Sequence, residues 1–241
     1  MATTKPEFDG LAFSSKPVPD WALKRPKGAA QAAWDLIGAP LRMVLLPDQT
    51  SESFHMTSLR AERFAAVLPA LRGRVLDVGA GDNMLIRLYR HHAGALGISP
   101  ADAEESVGAD VVDWGSECQI VDDASRLPYD DGSFDTVCFI ACINHIVNRA
   151  EALEEARRVL RPDGHVVITM IGPIVGKIGH AIWWYSEDKH RDVDEDELMG
   201  MAPKHIVALL KGAGFENVAS NGFCYGLNRL YQARAPKPDG A

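Results

Sequence analysis

The sequence RVLDVGAGDN, residues 74–83, decides the fold of this 241-residue chain. Its apolar run Val75–Val78 predicts a buried strand, which breaks at Gly79 and Gly81 and restarts as a helix at Met84. Glycines in such a turn let the backbone approach a ligand closely, and the helix start presents unpaired N–H groups. The stretch predicts a strand, turn and helix unit that suits a nucleotide-like ligand, although glycine turns also join strands to helices for steric reasons alone.

Strands and helices alternate after this turn. Helices are predicted over 84–92, 150–160 and 203–211, strands over 118–121, 134–140 and 165–170, and a closing hairpin over 215–232. The second strand has two candidates, residues 95–98 and residues 109–112, and the latter is followed by Asp113. Such alternation predicts an α/β fold whose parallel sheet is wound on both faces, with ligands beyond the carboxyl ends of the strands.

The N-terminal segment differs in composition from the rest. Residues 1–28 contain four prolines and predict an irregular arm, on the surface or disordered. Two short helices are predicted over 29–46, interrupted at Gly38 and Pro40, and a further helix over 57–71. We expect an arm and lid-like helices over 1–55, which either cover an apolar substrate or pack on the main domain over 56–241.

Composition excludes several classes of protein. The formal net charge of −8 argues against a general nucleic-acid binder, which needs clustered Lys and Arg. The four cysteines show no CxxC spacing, so the sequence indicates neither a metal site nor a disulfide framework and fits a reducing cytoplasm. No apolar run approaches the roughly 20 residues that span a bilayer, so we expect no stable membrane insertion. The pattern gives no oligomeric state.

Three blocks in this order resemble the class I S-adenosylmethionine-dependent methyltransferases that act on small molecules, the methyltransferase type 11-like group. The blocks are VLDVGAGDN at 75–83, DDASRLPYDDGSFD at 122–135 and EEARRVLRPDGHVVIT at 154–169. The resemblance covers residues 61–236 and implies a Rossmann-like, doubly wound sheet of seven strands, mostly parallel with an antiparallel last strand. It also implies S-adenosyl-L-methionine as cofactor and methyl transfer to oxygen, nitrogen or carbon of a small molecule.

The resemblance implies cofactor contacts at matching positions. Gly79 and Gly81 would pass close to the methionine part of the cofactor, with Asn83 where the family has a third glycine. Asp77 would hold the ammonium group; alternatively its carboxylate caps local backbone N–H groups. The adenine amino group would donate to Asp123 and the adenine ring would accept from the Ala124 N–H.

The acid that holds the ribose is less obvious. The family pattern would place it at Gly97 if residues 95–98 form the second strand, and glycine has no carboxylate. We therefore predict Asp113 for this role, with Trp114 covering the adenine and Asp102 as the reserve. The alternative is that Asp113 is a solvated loop acid.

Catalysis needs an acceptor aligned behind the methyl group and, for a hydroxyl or acidic carbon, a base. His145, preceded by Asn144 in the loop after the 134–140 strand, is the predicted base; alternatively it orders this loop through hydrogen bonds. Residues 172–202 interrupt the strand and helix alternation and predict a substrate cap or a small satellite core. The predicted substrate residues are Asn144, His180, Trp183, Trp184, Tyr185 and His190.

Two other functions share parts of this pattern. A nicotinamide-dependent oxidoreductase would have the parallel sheet and a glycine turn, but its fingerprint needs a third glycine where this chain has Met84. A cofactor-binding protein without catalysis would have the same binding motifs. Binding of S-adenosylhomocysteine rather than NAD separates the first alternative from a methyltransferase, and turnover separates the second.

Overall fold

Seven strands form one sheet in the order β3-β2-β1-β4-β5-β7-β6 in a computed structural model of the chain. The structure describes residues 16–46, 48–174, 176–177, 198 and 200–237. The strands are β1 Val75–Val78, β2 Val107–Asp110, β3 Gln119–Ile120, β4 Phe134–Ile140, β5 Leu160–Ile171, β6 Glu216–Phe223 and β7 Asn228–Arg234. Strand β7 is antiparallel to both of its neighbours, and the pairs from β3 to β5 are parallel. The predicted fold class is confirmed.

Helices lie on both faces of the sheet. They are α1 Asp20–Leu23, α2 Ala29–Val44, α3 Asp48–Ser53, α4 Leu59–Val67, α5 Met84–Leu96, α6 Pro100–Glu104, α7 Arg149–Val159 and α8 Pro203–Gly212. Short 3-10 helices follow at Leu68–Ala70, Ile143–His145 and Cys224–Gly226. One core cluster joins β4 and β5 to α7 and α8, and the other joins β1 to α4 and α5. Within the described ranges, no helix combines the length and apolarity that crossing a membrane requires.

The two candidates for the second strand are both corrected. Residues 95 and 96 continue helix α5, and Gly97, at φ 70°, caps it in the left-handed conformation, so 95–98 is not a strand. Strand β2 begins at Val107 and ends at Asp110, earlier than the predicted 109–112. Gly108 lies inside it because the side chain of Asn83 fills the space that a Cβ would need, with Oδ1 only 2.3 Å from that position. A glycine within a strand weakened the sequence signal.

The N-terminal segment also differs from its prediction. Helix α2 is a single helix that contains Pro40, not two short ones. A proline removes one backbone hydrogen bond and strains the preceding turn, a cost that tertiary contacts on both sides of it can offset. The arm is not wholly irregular, since α1 forms within it and Ala22 is buried against α4 and α5. The predicted 57–71 helix is α4 followed by a 3-10 turn.

Candidate cofactor and active site

The carboxyl ends of β1, β2 and β4 meet at one edge of the sheet because these strands are parallel neighbours. Asp77 lies within β1, and Asp123 and Ala124 follow β3, whereas the other seven predicted site residues that the structure describes lie in the loops that leave these ends. These loops are the turn 79–83 after β1, the loop 111–118 after β2 and the segment 141–148 after β4. This edge is where open parallel sheets bind ligands.

The glycine turn has a steric reason for its composition. Gly79 adopts φ 73° and Gly81 φ 55°, values that favour glycine. A Cβ on Gly79 would lie 2.7 Å from the Cβ of Cys142, whose thiol donates to the Val78 carbonyl at 2.9 Å. Asn83 takes φ 59° and starts helix α5, so an asparagine serves in the left-handed position. At Gly79 the turn therefore passes the segment after β4 more closely than a side chain would permit.

Asp77 is the most unusual carboxylate of this edge. It is 3% exposed, and its Oδ1 has no hydrogen-bond partner among the described residues. Burial raises the pKa of Asp77 well above its ordinary value, and the nearby carboxylates of Asp110 and Asp82 raise it further. An unpaired buried carboxyl group is costly, so the site favours a ligand that brings a hydrogen-bond donor with positive charge.

Asp110 ends strand β2 and is a site residue that the sequence analysis missed. Its Oδ2 accepts a hydrogen bond from the Gly81 N–H at 2.8 Å, and its Oδ1 accepts from the Val112 N–H at 2.9 Å. The side chain is buried and lies close enough to Asp77 to affect its pKa. The motif Gly-Ala-Asp before two valines was the available signal, but the valines extended the predicted strand two residues too far.

Asp113 was predicted to end the second strand but lies in the loop after β2. It is exposed, and its Oδ1 accepts from the Gly115 N–H at 2.8 Å in a local turn. The expectation that Asp113 closes the second strand is wrong, because that strand has already ended at Asp110. Trp114 is half-buried in the same loop. Asp102, the reserve, lies in helix α6, where its backbone N–H is bound by the capping Ser99 hydroxyl.

The loop 111–118 is fastened to the glycine turn. The Ser116 hydroxyl donates to the Gly81 carbonyl at 2.9 Å, and the Asn83 Nδ2 donates to the Glu117 carbonyl at 3.3 Å. The ends of β1 and β2 therefore form one continuous wall of the candidate site.

Asp123 and Ala124 follow β3 at the far side of this wall. The Asp123 carboxylate accepts from the Ser125 N–H at 2.9 Å, from the Ser125 hydroxyl at 2.6 Å and from the Asn148 Nδ2 at 3.1 Å. These bonds, led by those from Ser125, lower the pKa of Asp123, so it is ionised at neutral pH. Ala124 is buried in the core next to it. Asn148 thus ties the loop after β3 to the segment after β4.

Asn144 and His145 lie in the 3-10 turn after β4. The Asn144 side chain is buried, and its Nδ2 donates to the His145 Nε2 at 3.0 Å and to the Leu198 carbonyl at 2.8 Å. The Leu198 N–H donates back to the Asn144 carbonyl at 3.1 Å. Because Nε2 accepts, a neutral His145 ring has its proton on Nδ1.

Most of the predicted substrate cap falls outside the described residues, as do His180, Trp183, Trp184, Tyr185 and His190. Its two ends are described. The Met201 N–H donates to the Ile171 carbonyl at 3.1 Å, and a Cβ on Gly200 would lie 2.8 Å from the Gly172 oxygen. The segment therefore leaves and rejoins the fold at one point, the carboxyl end of β5.

Comparison with known proteins agrees with this geometry. Residues 76–168 match the family model described as a methyltransferase domain. A ubiquinone/menaquinone biosynthesis C-methyltransferase of Ectopseudomonas mendocina is 27% identical over 201 residues, which are 73% of this chain and 78% of the relative. A 27-O-demethylrifamycin SV methyltransferase of Amycolatopsis mediterranei is 30% identical over 166 residues, which are 64% of this chain and 59% of the relative.

A solved structure adds the fold. An S-adenosylmethionine-dependent methyltransferase of Thermotoga maritima superimposes with a TM-score of 0.52 at 18% identity, over 72% of this chain and 88% of that one. Sequence blocks, sheet order and relatives agree, and together they support a class I S-adenosylmethionine-dependent methyltransferase.

Proposed function

We propose that the edge formed by β1, β2 and β4 binds S-adenosylmethionine through Asp77, Asp110, Asp123 and the glycine turn, and that His145 serves the acceptor. The acceptor is a small molecule with a reactive oxygen, nitrogen or carbon. The names of the two relatives give a C-methyltransferase in one case and a methyltransferase of an O-demethylated rifamycin in the other. These names leave the acceptor atom of this chain open.

The observation that carries the proposal is the buried, unpartnered Oδ1 of Asp77. The ammonium of the cofactor's methionine part would supply both the missing donor and the missing positive charge. Gly79 lets the turn after Asp77 pack against Cys142, because a Cβ at Gly79 would collide with that side chain. When bound, the cofactor supplies a methyl group on a sulfonium, which an electron-rich acceptor atom can attack. The residues of the chain thus fit this group.

Asp110 replaces Asp113 as the proposed ribose ligand. Each of its carboxylate oxygens already accepts one backbone N–H, and a carboxylate offers about four lone-pair sites, so each oxygen can accept one hydroxyl as well. Two ribose hydroxyls need such acceptors when they leave water. The backbone bonds also fix the carboxylate relative to the glycine turn, so that the ligand does not have to order it. Trp114, in the loop that follows, is proposed to cover the adenine.

Asp123 and Ala124 are proposed for the adenine itself. Ser125 and Asn148 hold the Asp123 carboxylate in place and keep it ionised, which suits an acceptor for the adenine amino group. The Ala124 N–H would donate to the ring. The same bonds also order the loop. The proposed contact with adenine is therefore supported by two observations together, the position of Asp123 after β3 and its negative charge.

His145 is proposed as the base. The Asn144 amide donates to Nε2 and occupies the one lone pair of that nitrogen. Nε2 would receive the proton of an acceptor hydroxyl or acidic carbon once the substrate displaces the amide N–H from this lone pair. A nitrogen acceptor that arrives as a free amine needs only positioning until the transfer is complete. The predicted substrate cap is proposed to serve the acceptor, since its described ends meet at the carboxyl end of β5.

The four cysteines of the chain are all free thiols in the structure. Free thiols, two of them buried, are typical of proteins kept in a reducing compartment, which supports a cytoplasmic enzyme.

Ligand-dependent melting tests this proposal. S-adenosylhomocysteine at a hundredfold excess over its Kd should stabilise the protein by about 2.7 kcal/mol, and NAD should not. A shift with NAD alone would support an oxidoreductase. Binding of S-adenosylhomocysteine together with no turnover on any hydroxyl, amine or carbon acceptor would favour a binding protein.

A further inference from the structure

Helix α2 buries its charged side chains and exposes its large apolar ones, the reverse of an ordinary surface helix. Its two ionisable side chains, Asp35 and Arg42, are each 1% exposed, whereas Ile37 is 75% exposed. The other large apolar side chains that point outward from this region are Trp34, Leu36, Leu41, Leu45 and Phe54. Surface helices normally bury the apolar face and expose the charged one.

Asp35 fixes the first half of this orientation. Its carboxylate accepts from the Thr57 N–H at 2.8 Å, from the Thr57 hydroxyl at 2.7 Å and from the Lys27 ammonium at 2.8 Å. Turning the helix to bury Ile37 would strip these partners from a buried carboxylate. The loss of one partner of a buried charge is strongly destabilising.

Arg42 fixes the second half. Its guanidinium donates to the Thr57 carbonyl and lies 3.7 Å from the Glu62 carboxylate, which also pairs with Lys27 and with Arg25. The buried network therefore holds both ends of α2 on the body of the protein. The outward apolar face is thus a stable feature of the fold.

The outward residues form one continuous surface. Trp34, Ile37, Leu41 and Leu45 recur at intervals of three and four, the spacing of a stripe along one side of a helix. The Trp34 Nε1 donates to the Phe54 carbonyl at 3.1 Å, which joins the end of α3 to this stripe. None of the exposed α2 residues whose side chains the structure describes carries a charge. We call the five residues Trp34, Ile37, Leu41, Leu45 and Phe54 the α2 stripe.

The exposed area of the α2 stripe is large for a monomer. From the exposed fractions, its side chains present roughly 500–600 Å² of apolar surface, the upper range of the largest patch on a typical monomer. A patch of this size, without charge along about 24 Å of helix, calls for a partner.

We propose that the α2 stripe is a dimer interface, in which a second copy of this chain packs its α2 antiparallel across a two-fold axis. The axis would pass close to Ile37, so that Trp34 of one copy lies opposite Leu41 of its partner. Two such surfaces together bury roughly 1,000–1,200 Å², near the lower limit of specific interfaces. Although each copy has a net charge of −8, the stripe itself opposes no like charges.

A lipid surface is a poorer occupant. Helices that lie in a membrane interface present Lys and Arg on their polar side and are attracted to anionic lipid. The one cation of α2 is the buried Arg42, and the chain as a whole is acidic. A second copy needs no such attraction. A lid over an apolar substrate, the other role that the sequence suggests for this segment, would leave the protein monomeric.

Sedimentation velocity of the full chain over a series of concentrations tests the interface. The wild type should sediment as a dimer that dissociates on dilution. Ile37→Glu should sediment as a monomer, because two carboxylates would meet at the axis. Ile174→Glu is the matched control, since Ile174 is 74% exposed but lies outside the stripe, and it should remain dimeric. Leu41→Lys provides a second disruption at a different point of the stripe.

A charge exchange gives the sharper result. Ile37→Glu and Ile37→Lys should each be monomeric alone and should form a mixed dimer when combined, because opposite charges then meet across the axis. A wild type that is monomeric throughout the micromolar range would overturn the proposal, as would dimers that survive Ile37→Glu and Leu41→Lys. Flotation of a monomeric wild type with phosphatidylcholine vesicles would assign the stripe to lipid instead. Loss of turnover in monomeric Ile37→Glu, with a monomeric wild type, would assign it to substrate.

Discussion

The Oδ2 atom of Asp110 accepts a 2.8 Å hydrogen bond from the Gly81 N–H, so that the end of β2 and the glycine turn after β1 are held as one unit. The bond places a buried carboxylate beside the turn and orients it before any ligand arrives. Asp113 lies only three positions further along the chain, yet it is in an exposed turn whereas Asp110 is buried.

Asp110→Asn should therefore weaken the binding of S-adenosylhomocysteine at least tenfold, about 1.4 kcal/mol, because the amide loses the charge that the ribose hydroxyls need. Asp113→Asn is the matched control and should change the affinity little, since Asp113 is exposed and bonds only within its own turn. Isothermal titration of both variants gives the comparison. Equal losses would return Asp113 to the site.

The close approach of Gly79 to Cys142 can be tested against a matched control, Gly97. Gly79 and Gly97 have nearly the same φ, 73° and 70°, so alanine suffers the same backbone strain at either position, about 1 kcal/mol. Only at Gly79 would the new Cβ collide with Cys142, and at Gly97 nothing lies within 4 Å. Gly79→Ala should reduce cofactor affinity at least tenfold more than Gly97→Ala does, with both proteins folded by circular dichroism. Similar affinities would show that the turn does not approach the ligand.

Asp77 should make cofactor binding depend on pH. In the free protein burial raises the pKa of Asp77, so that its carboxyl group stays protonated at pH values where the unfolded chain would already have released the proton. The folded state is therefore favoured at low pH, and it loses this stability as the pH rises through the raised pKa. The ligand's ammonium favours the ionised carboxylate and lowers the pKa again. Affinity should then increase with pH through the raised pKa, with release of a proton.

Calorimetry in buffers of different ionisation enthalpy measures this proton release. The Asp77→Asn variant, which keeps the shape, should bind more weakly and release no proton. Proton release that persists in Asp77→Asn would mean that another group of the site titrates.

Asn144 is predicted to position His145 through the 3.0 Å contact with Nε2. His145→Gln should lower kcat roughly a hundredfold or more, the usual contribution of a general base, with cofactor affinity unchanged. Asn144→Ala should lower kcat less, because the base remains but the ring loses the amide that orients it. A lower cofactor affinity with an unchanged kcat would give Asn144 a purely structural role.

The sequence predicted the parts of the fold whose signal is local. Strands β1 and β4 have the predicted bounds because both faces of each are covered, which leaves a continuous apolar run. Strand β2 was predicted at the wrong position because it contains Gly108. A glycine is needed there to make room for the side chain of Asn83, a tertiary contact that the local sequence does not indicate. Asp110 was missed with it.

Helix α2 shows the opposite case. The local pattern correctly indicated a helix, but the apolar side of this helix is exposed and its charged side chains are buried. The apolar spacing indicated a helix, and periodicity alone assigns the apolar side to the core. The partners of Asp35 and Arg42 come from Lys27, Thr57 and Glu62, so only the assembled fold reveals that the charged side is the buried one.

Titration of the purified protein with S-adenosylhomocysteine by isothermal calorimetry tests the central claim most directly, since fold, cofactor and site must all be right for binding to occur. We expect one site per chain with saturable binding, a large loss in Asp77→Asn and no binding of NAD. Absence of binding by a folded wild type, or equal binding by wild type and Asp77→Asn, would contradict this account.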